Sequence, residues 1–298
     1  MNRGRAIGFT TILLFAAGIA VGQNISQNLG QSSPDSTDAG ANCARSVLLN
    51  FTITSRDGQR THDVPIWQAD GSQAFFFLSG MTIDADGAPN AYHPDNIGLD
   101  DLINAGTPEH WDGIMTDGQG NPIVQGASDP YPGYYVSCTS LSDRTKAASD
   151  PNRYVDATKI PYVVLPRDVA EQGGARLGDF AYVVNLANGK SSYAIFADVG
   201  TLGEGSVALA NNLGIWSDAR RGGRRGGVLY LVFPGSGNRQ PRPIEEIQSE
   251  TEKLLQDWGG LAKLTSCAAN PQQPAIATAA AKPPQETSPT PSANISNY

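Results

Sequence analysis

Two carboxylates stand six positions apart in Tyr193–Leu213 (YAIFADVGTLGEGSVALANNL): Asp198 at the end of an apolar run, and Glu204 beyond a loop that holds Gly200 and Gly203. An apolar run followed by glycines reads as a strand end feeding a tight turn, where two side chains can face one cleft. Two carboxyls flanking a glycosidic bond hydrolyse it when one, protonated, donates to the leaving oxygen and the other, ionised, activates water or attacks the sugar. The same residues have a plain structural use. Asp198 can cap a turn, and Glu204 can cap the helix predicted over Ser206–Leu213. Spacing alone leaves both readings open.

A second concentration of acids lies upstream. Between Met81 and Pro130 there are nine, namely Asp84, Asp86, Asp95, Asp100, Asp101, Glu109, Asp112, Asp117 and Asp129, with no Lys or Arg among them. The formal charge of the whole 298-residue chain is −8, so this one window carries the protein's acidity and the remainder sums to +1. Such a cluster suits a cationic ligand, or it is simply a solvated loop face. Asp84-Ala85-Asp86-Gly87 resembles the start of a calcium loop but lacks the later ligands at EF-hand spacing, so no metal is expected there. Three histidines and no CxxC argue against structural zinc. An acidic chain is also a poor binder of nucleic-acid phosphates. The basic run Arg220–Gly227 (RRGGRRGG) reads as an exposed turn.

The elements that must hold these residues are mostly strands. Gly and Pro together make 53 of the 298 residues, which favours strands and turns over a helical bundle. Strands are predicted at Ser46–Thr54, Ala74–Leu78, Tyr134–Leu141, Ile160–Leu165, Phe180–Leu186, Ser192–Ala197 and Val228–Phe233, with Asn188-Gly189-Lys190 as a hairpin turn. Helices are predicted at Ser206–Leu213, stopped by Gly214, and within Pro243–Leu264. The expected fold is a β-rich α+β single domain: a small six- to seven-stranded barrel-like sheet with two or three helices.

Both chain ends read differently. Residues 1–22 combine a basic start, an apolar run and small residues before Gln23, the pattern of a cleaved signal peptide. A polar, flexible lead over 23–42 and a disordered Pro/Ala/Ser/Thr tail over 268–298 then flank a folded domain at 43–267. Secretion is the expected location. With the signal removed, no stable membrane association and a monomer are expected. Cys43 and Cys267 sit at the two ends of the folded unit, and a bridge between them, or three free thiols, are both open.

FADVGTLGEGSVALANNLGI followed by VLYLVFPGS (Val228–Ser236) resembles the core motif of glycoside hydrolase family 75, the fungal-type chitosanases. MTIDADGAPNAYHP (Met81–Pro94) and IPYVVLP (Ile160–Pro166) are similar to two further segments of that family, so four matches in order span about residues 75–236. The resemblance implies a secreted, cofactor-free endo-hydrolase of the cationic polysaccharide chitosan that inverts the anomeric carbon. It carries the two essential acids onto Asp198 and Glu204, and together with the charge of the acidic window it makes Asp84 and Asp86 the expected binders of glucosamine ammonium groups; Tyr92, Trp111 and Tyr135 are candidate sugar-binding aromatics or simply core residues. Glu204 is the expected acid and Asp198 the expected base, or the reverse. The chain departs from the family pattern in a shorter loop between the two acids, in Ala85 where the fungal segment has a cysteine, and in the stretch Asn90–Asp129. Two rival readings are a hydrolase of chitin or peptidoglycan glycan using the same pair, and a non-catalytic exported carbohydrate- or calcium-binding module.

Overall fold

The computed structural model describes residues 43–54 and 58–268; the signal-like segment, the predicted lead and the tail beyond Ala268 lie outside the described residues. Ten strands occur, in chain order β1 (Arg45–Thr54), β2 (Thr61–Ala69), β3 (Phe75–Asp84), β4 (Gly106–Thr107), β5 (His110–Trp111), β6 (Tyr162–Leu165), β7 (Phe180–Asn185), β8 (Ser191–Val199), β9 (Glu204–Ser206) and β10 (Arg224–Phe233). Four α-helices accompany them: α1 (Arg167–Gly173), α2 (Val207–Leu213), α3 (Ile244–Trp258) and α4 (Gly260–Ala268). The large sheet runs β1-β2-β3-β10-β7-β8-β6-β9, and β9 also pairs with β3. That last pairing closes β3, β10, β7, β8, β6 and β9 into a six-stranded barrel, with β1 and β2 continuing the sheet outside it. The α+β, barrel-containing domain expected from composition is therefore present, with more strands and one more α-helix than the sequence patterns predict.

Strand alternation fills the barrel. Phe75, Phe77, Met81, Val163, Phe196, Val183 and Tyr230 belong to one buried cluster, the interior. Their neighbours in sequence point outward into two covers. Phe76, Tyr182, Leu229 and Leu231 pack under Leu255, Trp258 and Leu264 of α3 and α4. Tyr162, Val164, Ile195 and Ala197 pack under Ala85, Ala88, Tyr92, Leu141 and Val155 from the long connection between β3 and β6. A four-residue β6 with every side chain buried is what a strand covered on both faces requires.

Several local readings differ from the outcome. Tyr134–Leu141 is not a strand; its β pairing is limited to isolated bridges, Tyr135 to Val124 and Ser137 to Ile114, and its other hydrogen bonds run to loops and to β8. β2 carries Pro65, whose position pairs with Asn50 of β1, while β2 meets β3 only at Trp67 and Gln68. A proline is tolerated where the second partner is missing. The long helix predicted within Pro243–Leu264 breaks into α3 and α4 at Gly259, whose φ of 122° is costly for any residue with a side chain. Part of the basic run joins β10, and Arg220 is bound rather than free (below). Cys43 and Cys267 form a disulfide, and Cys138 is free. No helix among the described residues is long and apolar enough to cross a membrane.

Candidate active site

The residues with the most chemistry lie on one outer face of the barrel. Asp84 ends β3, and Glu204 opens β9. Their strands run parallel, with Thr82 opposite Glu204 and Asp84 opposite Ser206. Met81 and Ile83 face the interior, so Thr82, Asp84, Glu204 and Ser206 face out.

Asp198 reaches the same face by a bulge. Along β8, Ala194 and Phe196 point inward and Ile195 outward, so strict alternation would send Asp198 inward. Between Val163 and Val164 the register with β6 slips, and Val164 pairs with Asp198. Ala197 is the extra residue, and Val164 belongs to the outer cluster. The bulge therefore turns Asp198 outward beside Val164. Across the antiparallel contact of β6 with β9, Val163 pairs with Gly205, which sets Glu204 on the other side of Val164. Asp198 and Glu204 thus flank the same strand. Two strand spacings of about 4.8 Å place their backbones roughly 9–10 Å apart.

Each carboxyl has its own environment. Asp198 is 8% exposed, and its Oδ1 accepts from the Ser140 N–H at 3.0 Å, the Ser140 hydroxyl at 2.5 Å and the Val199 N–H at 2.8 Å. Burial raises its pKa, while these three donors favour the ionised form. Glu204 Oε2 accepts from the Thr201 N–H at 2.8 Å. Burial pushes the Glu204 pKa up to about 7; the Thr201 N–H opposes this, and the charges of Asp198 and Asp100 add to it. A Cβ on Gly200 would stand 2.8 Å from Glu204 Oε2, so the glycine leaves room for that carboxyl. The helix-cap alternative for Glu204 does not hold, because the Ser206 hydroxyl caps α2 by accepting from the Leu209 N–H at 3.1 Å.

Asp84 and Asp86 adjoin Asp198, with one carboxylate oxygen of each of the three within 4.8 Å of the others. The Asp86 N–H donates to Asp84 Oδ1 at 2.8 Å, a tight local turn. Burial raises both pKa values well above the usual carboxylate range, and the neighbouring acids raise them further. No Lys or Arg pairs with either carboxyl among the described residues. The group therefore holds protons or shares a cationic partner.

Tyr92, expected among the substrate-binding residues, is 2% exposed, and its hydroxyl donates to Asp86 Oδ1 at 2.6 Å. Burial removes it from direct stacking on a sugar, so it acts on a ligand only through Asp86. Trp111 and Tyr135 are half-buried neighbours with ring centroids 6.3 Å apart. Their loops are tied to the site, for Gly113 lies against Asp86, where a Cβ would be 2.6 Å from its Oδ1.

Two groups have partners that the sequence patterns do not show. Ser140 is one. The other is Arg220, from the basic run, which donates to Asp101 Oδ1 at 2.9 Å and to the Asn96, Gly98 and Asp100 carbonyls at 2.7, 2.9 and 3.2 Å. It fastens the loop carrying Asp100, a buried acid whose pKa burial raises to about 6. A hollow of about 200 Å³ between Pro151–Asp156 and Pro241–Arg242 contains none of the acids of this face.

No curated protein matches the chain. Residues 113–257 match the family model described as fungal chitosanase of glycosyl hydrolase group 75. The matched segment includes Ser140, Asp198 and Glu204 and begins downstream of Asp84 and Asp86. Asp198 and Glu204 face outward on either side of one barrel strand within that matched segment, and the match over residues 113–257 indicates a glycoside hydrolase similar to the group 75 chitosanases.

Proposed function

We propose that the protein is a secreted, monomeric endo-chitosanase that hydrolyses β-1,4 bonds between glucosamine units with inversion, through Asp198 and Glu204, its catalytic domain spanning 43–267. The observation that carries this reading is the placement of the two acids on opposite sides of β6. Inverting enzymes hold their carboxyls about 6.5–9.5 Å apart so that a water fits beside the sugar. Strands two spacings apart support such a gap even though the loop between the acids is short.

Glu204 is the general acid. With a pKa of about 7 it keeps its proton below neutral pH and gives it to the glycosidic oxygen as the C1–O bond breaks. Asp198 is the base. Its donors favour the carboxylate, which takes a proton from water as that water bonds to C1 from the opposite face. The product is a reducing end of inverted configuration. Asp198 then releases the proton it took to solvent, and Glu204, left ionised, regains one from solvent.

Asp84 and Asp86 take the substrate's ammonium groups. Two buried acids with no cation beside them gain a counter-charge when a glucosamine ammonium enters, and they ionise as it binds. Trp111 and Tyr135 contact sugar faces. The test compares soluble chitosan with its fully acetylated counterpart across a salt series. Cleavage of chitosan that weakens with added salt, beside little cleavage of the acetylated polymer, is the expected result. Equal cleavage of both, insensitive to salt, overturns the substrate assignment.

A further inference from the structure

The segment Ser137–Leu141 looks like a strand in sequence but spends its hydrogen bonds on the site. The Leu141 N–H donates to the carbonyl of Ala197, the bulge residue, at 2.8 Å. One residue earlier, the Ser140 N–H and hydroxyl both meet Asp198 Oδ1. Three residues earlier still, the Ser137 hydroxyl accepts from the Gly87 N–H at 2.9 Å and donates to the Gly113 carbonyl at 3.1 Å, holding the loop that carries Asp84 and Asp86. The Ser140 hydroxyl also receives the Val199 N–H at 3.3 Å, alongside that group's bond to Asp198. All three donors converge on Oδ1, and no hydrogen bond from a described residue reaches Oδ2. A carboxylate fastened by one oxygen presents the other.

We infer that Ser140 is a positioning residue for the reaction: its hydroxyl fixes the Asp198 carboxylate so that Oδ2 alone faces the attacking water. The inference rests on the assignment of Asp198 as base. Ser140 itself sits at the exposed rim of the segment, so loss of its hydroxyl leaves the apolar core intact. The titratable groups around Asp198 are Asp84 and Asp86 after β3, Glu204 of β9, Tyr162 of β6 and Cys138 beside Ser140, and none of them is cationic. With no neighbouring positive charge, hydrogen bonds are what favour the ionised Asp198, and Ser140 supplies two of the three.

The experiment measures kcat and KM on soluble chitosan from pH 4 to 8 for wild type, Ser140→Ala, Ser140→Thr and Asp198→Asn, with thermal unfolding of each. Ser140→Ala is expected to fold, to keep KM within about two-fold, and to lose roughly ten-fold in kcat at pH 5, the scale one hydrogen bond to a charged group supports. Its acidic limb moves to higher pH, because a base that has lost a donor holds its proton more tightly. Ser140→Thr, which keeps the hydroxyl, recovers most of the rate. An inactive Asp198→Asn beside a Ser140→Ala of unchanged pH profile overturns the role of Ser140 and leaves the base in place. A loss equal at every pH and not recovered by Ser140→Thr also overturns it. An active Asp198→Asn instead overturns the assignment of the base, and the role of Ser140 with it.

Discussion

At the scale of single residues, the site is a group of carboxyls separated by what surrounds each. Burial, more than any other cause, lifts Glu204 to about 7 and Asp84 and Asp86 well above the usual range. Two consequences follow from the sign of these shifts. As pH rises through 7, Glu204, the proposed general acid, loses its proton, so kcat/KM is expected to decline on the alkaline side with an apparent pKa near 7. A pH–rate profile checks this, and a limb far above 8 contradicts it. Stability follows the same titration. A carboxyl whose folded pKa exceeds its unfolded value binds more protons when folded, so stability falls as pH rises between the two values. The Tm is expected to be higher at pH 5 than at pH 7.5, and Glu204→Gln should flatten that slope in calorimetry. Asp84→Asn and Asp86→Asn each remove a charge proposed to meet the ammonium; KM for chitosan should rise several-fold with kcat less affected.

At the scale of elements, the placement depends on a bulge, a short strand and a long connection. Without the extra residue at Ala197, alternation along β8 would put Asp198 among the interior apolar side chains. Deleting Ala197 should therefore abolish activity even where circular dichroism still shows the sheet. Gly200→Ala is a milder probe. The new methyl meets Glu204 Oε2 and the Val164 side chain at 2.8 and 3.0 Å, so kcat should fall about ten-fold while the Tm drops only a few degrees. The hairpin at Asn188–Lys190, the helix after Ser206 and the barrel-forming apolar runs were legible in sequence, because each is written in local periodicity or turn chemistry. The candidate pair Asp198 and Glu204 stands out in sequence through glycine spacing and the motif resemblance, and the fold brings both to one face of the barrel. The bulge was not legible, since one inserted residue leaves the apolar pattern of IFADV unchanged and shows only in the register with Val163 and Val164. Ser140 was not either. Its partner is 58 positions away, and an extended segment bonded to loops carries the same period as a strand. Tyr92 was read as a sugar-binding aromatic, whereas its ring is buried and its hydroxyl serves Asp86.

At the scale of the whole molecule, a barrel covered on one side by helices leaves the other side to a long, strand-poor connection that builds the site. Its ends are tied by the Cys43–Cys267 bridge, which spans 224 positions and lies under the helical cover, away from the carboxylates. Replacing both cysteines by alanine should lower stability by about 2–5 kcal/mol in denaturant titration while leaving kcat near the wild-type value in conditions where the fold persists. The acidic window concentrates the chain's negative charge between Met81 and Pro130, a distribution that suits a polycation better than a neutral polymer. The proposal that Asp198 and Glu204 form an inverting pair is tested by following chitosan cleavage at pH 5.5 by proton NMR for wild type, Asp198→Asn and Glu204→Gln. Wild type is expected to release first the anomer opposite to the β linkage, and each folded variant to lose about 10²–10⁴-fold of the rate. A β-configured first product, or a variant that keeps the wild-type rate, would contradict it.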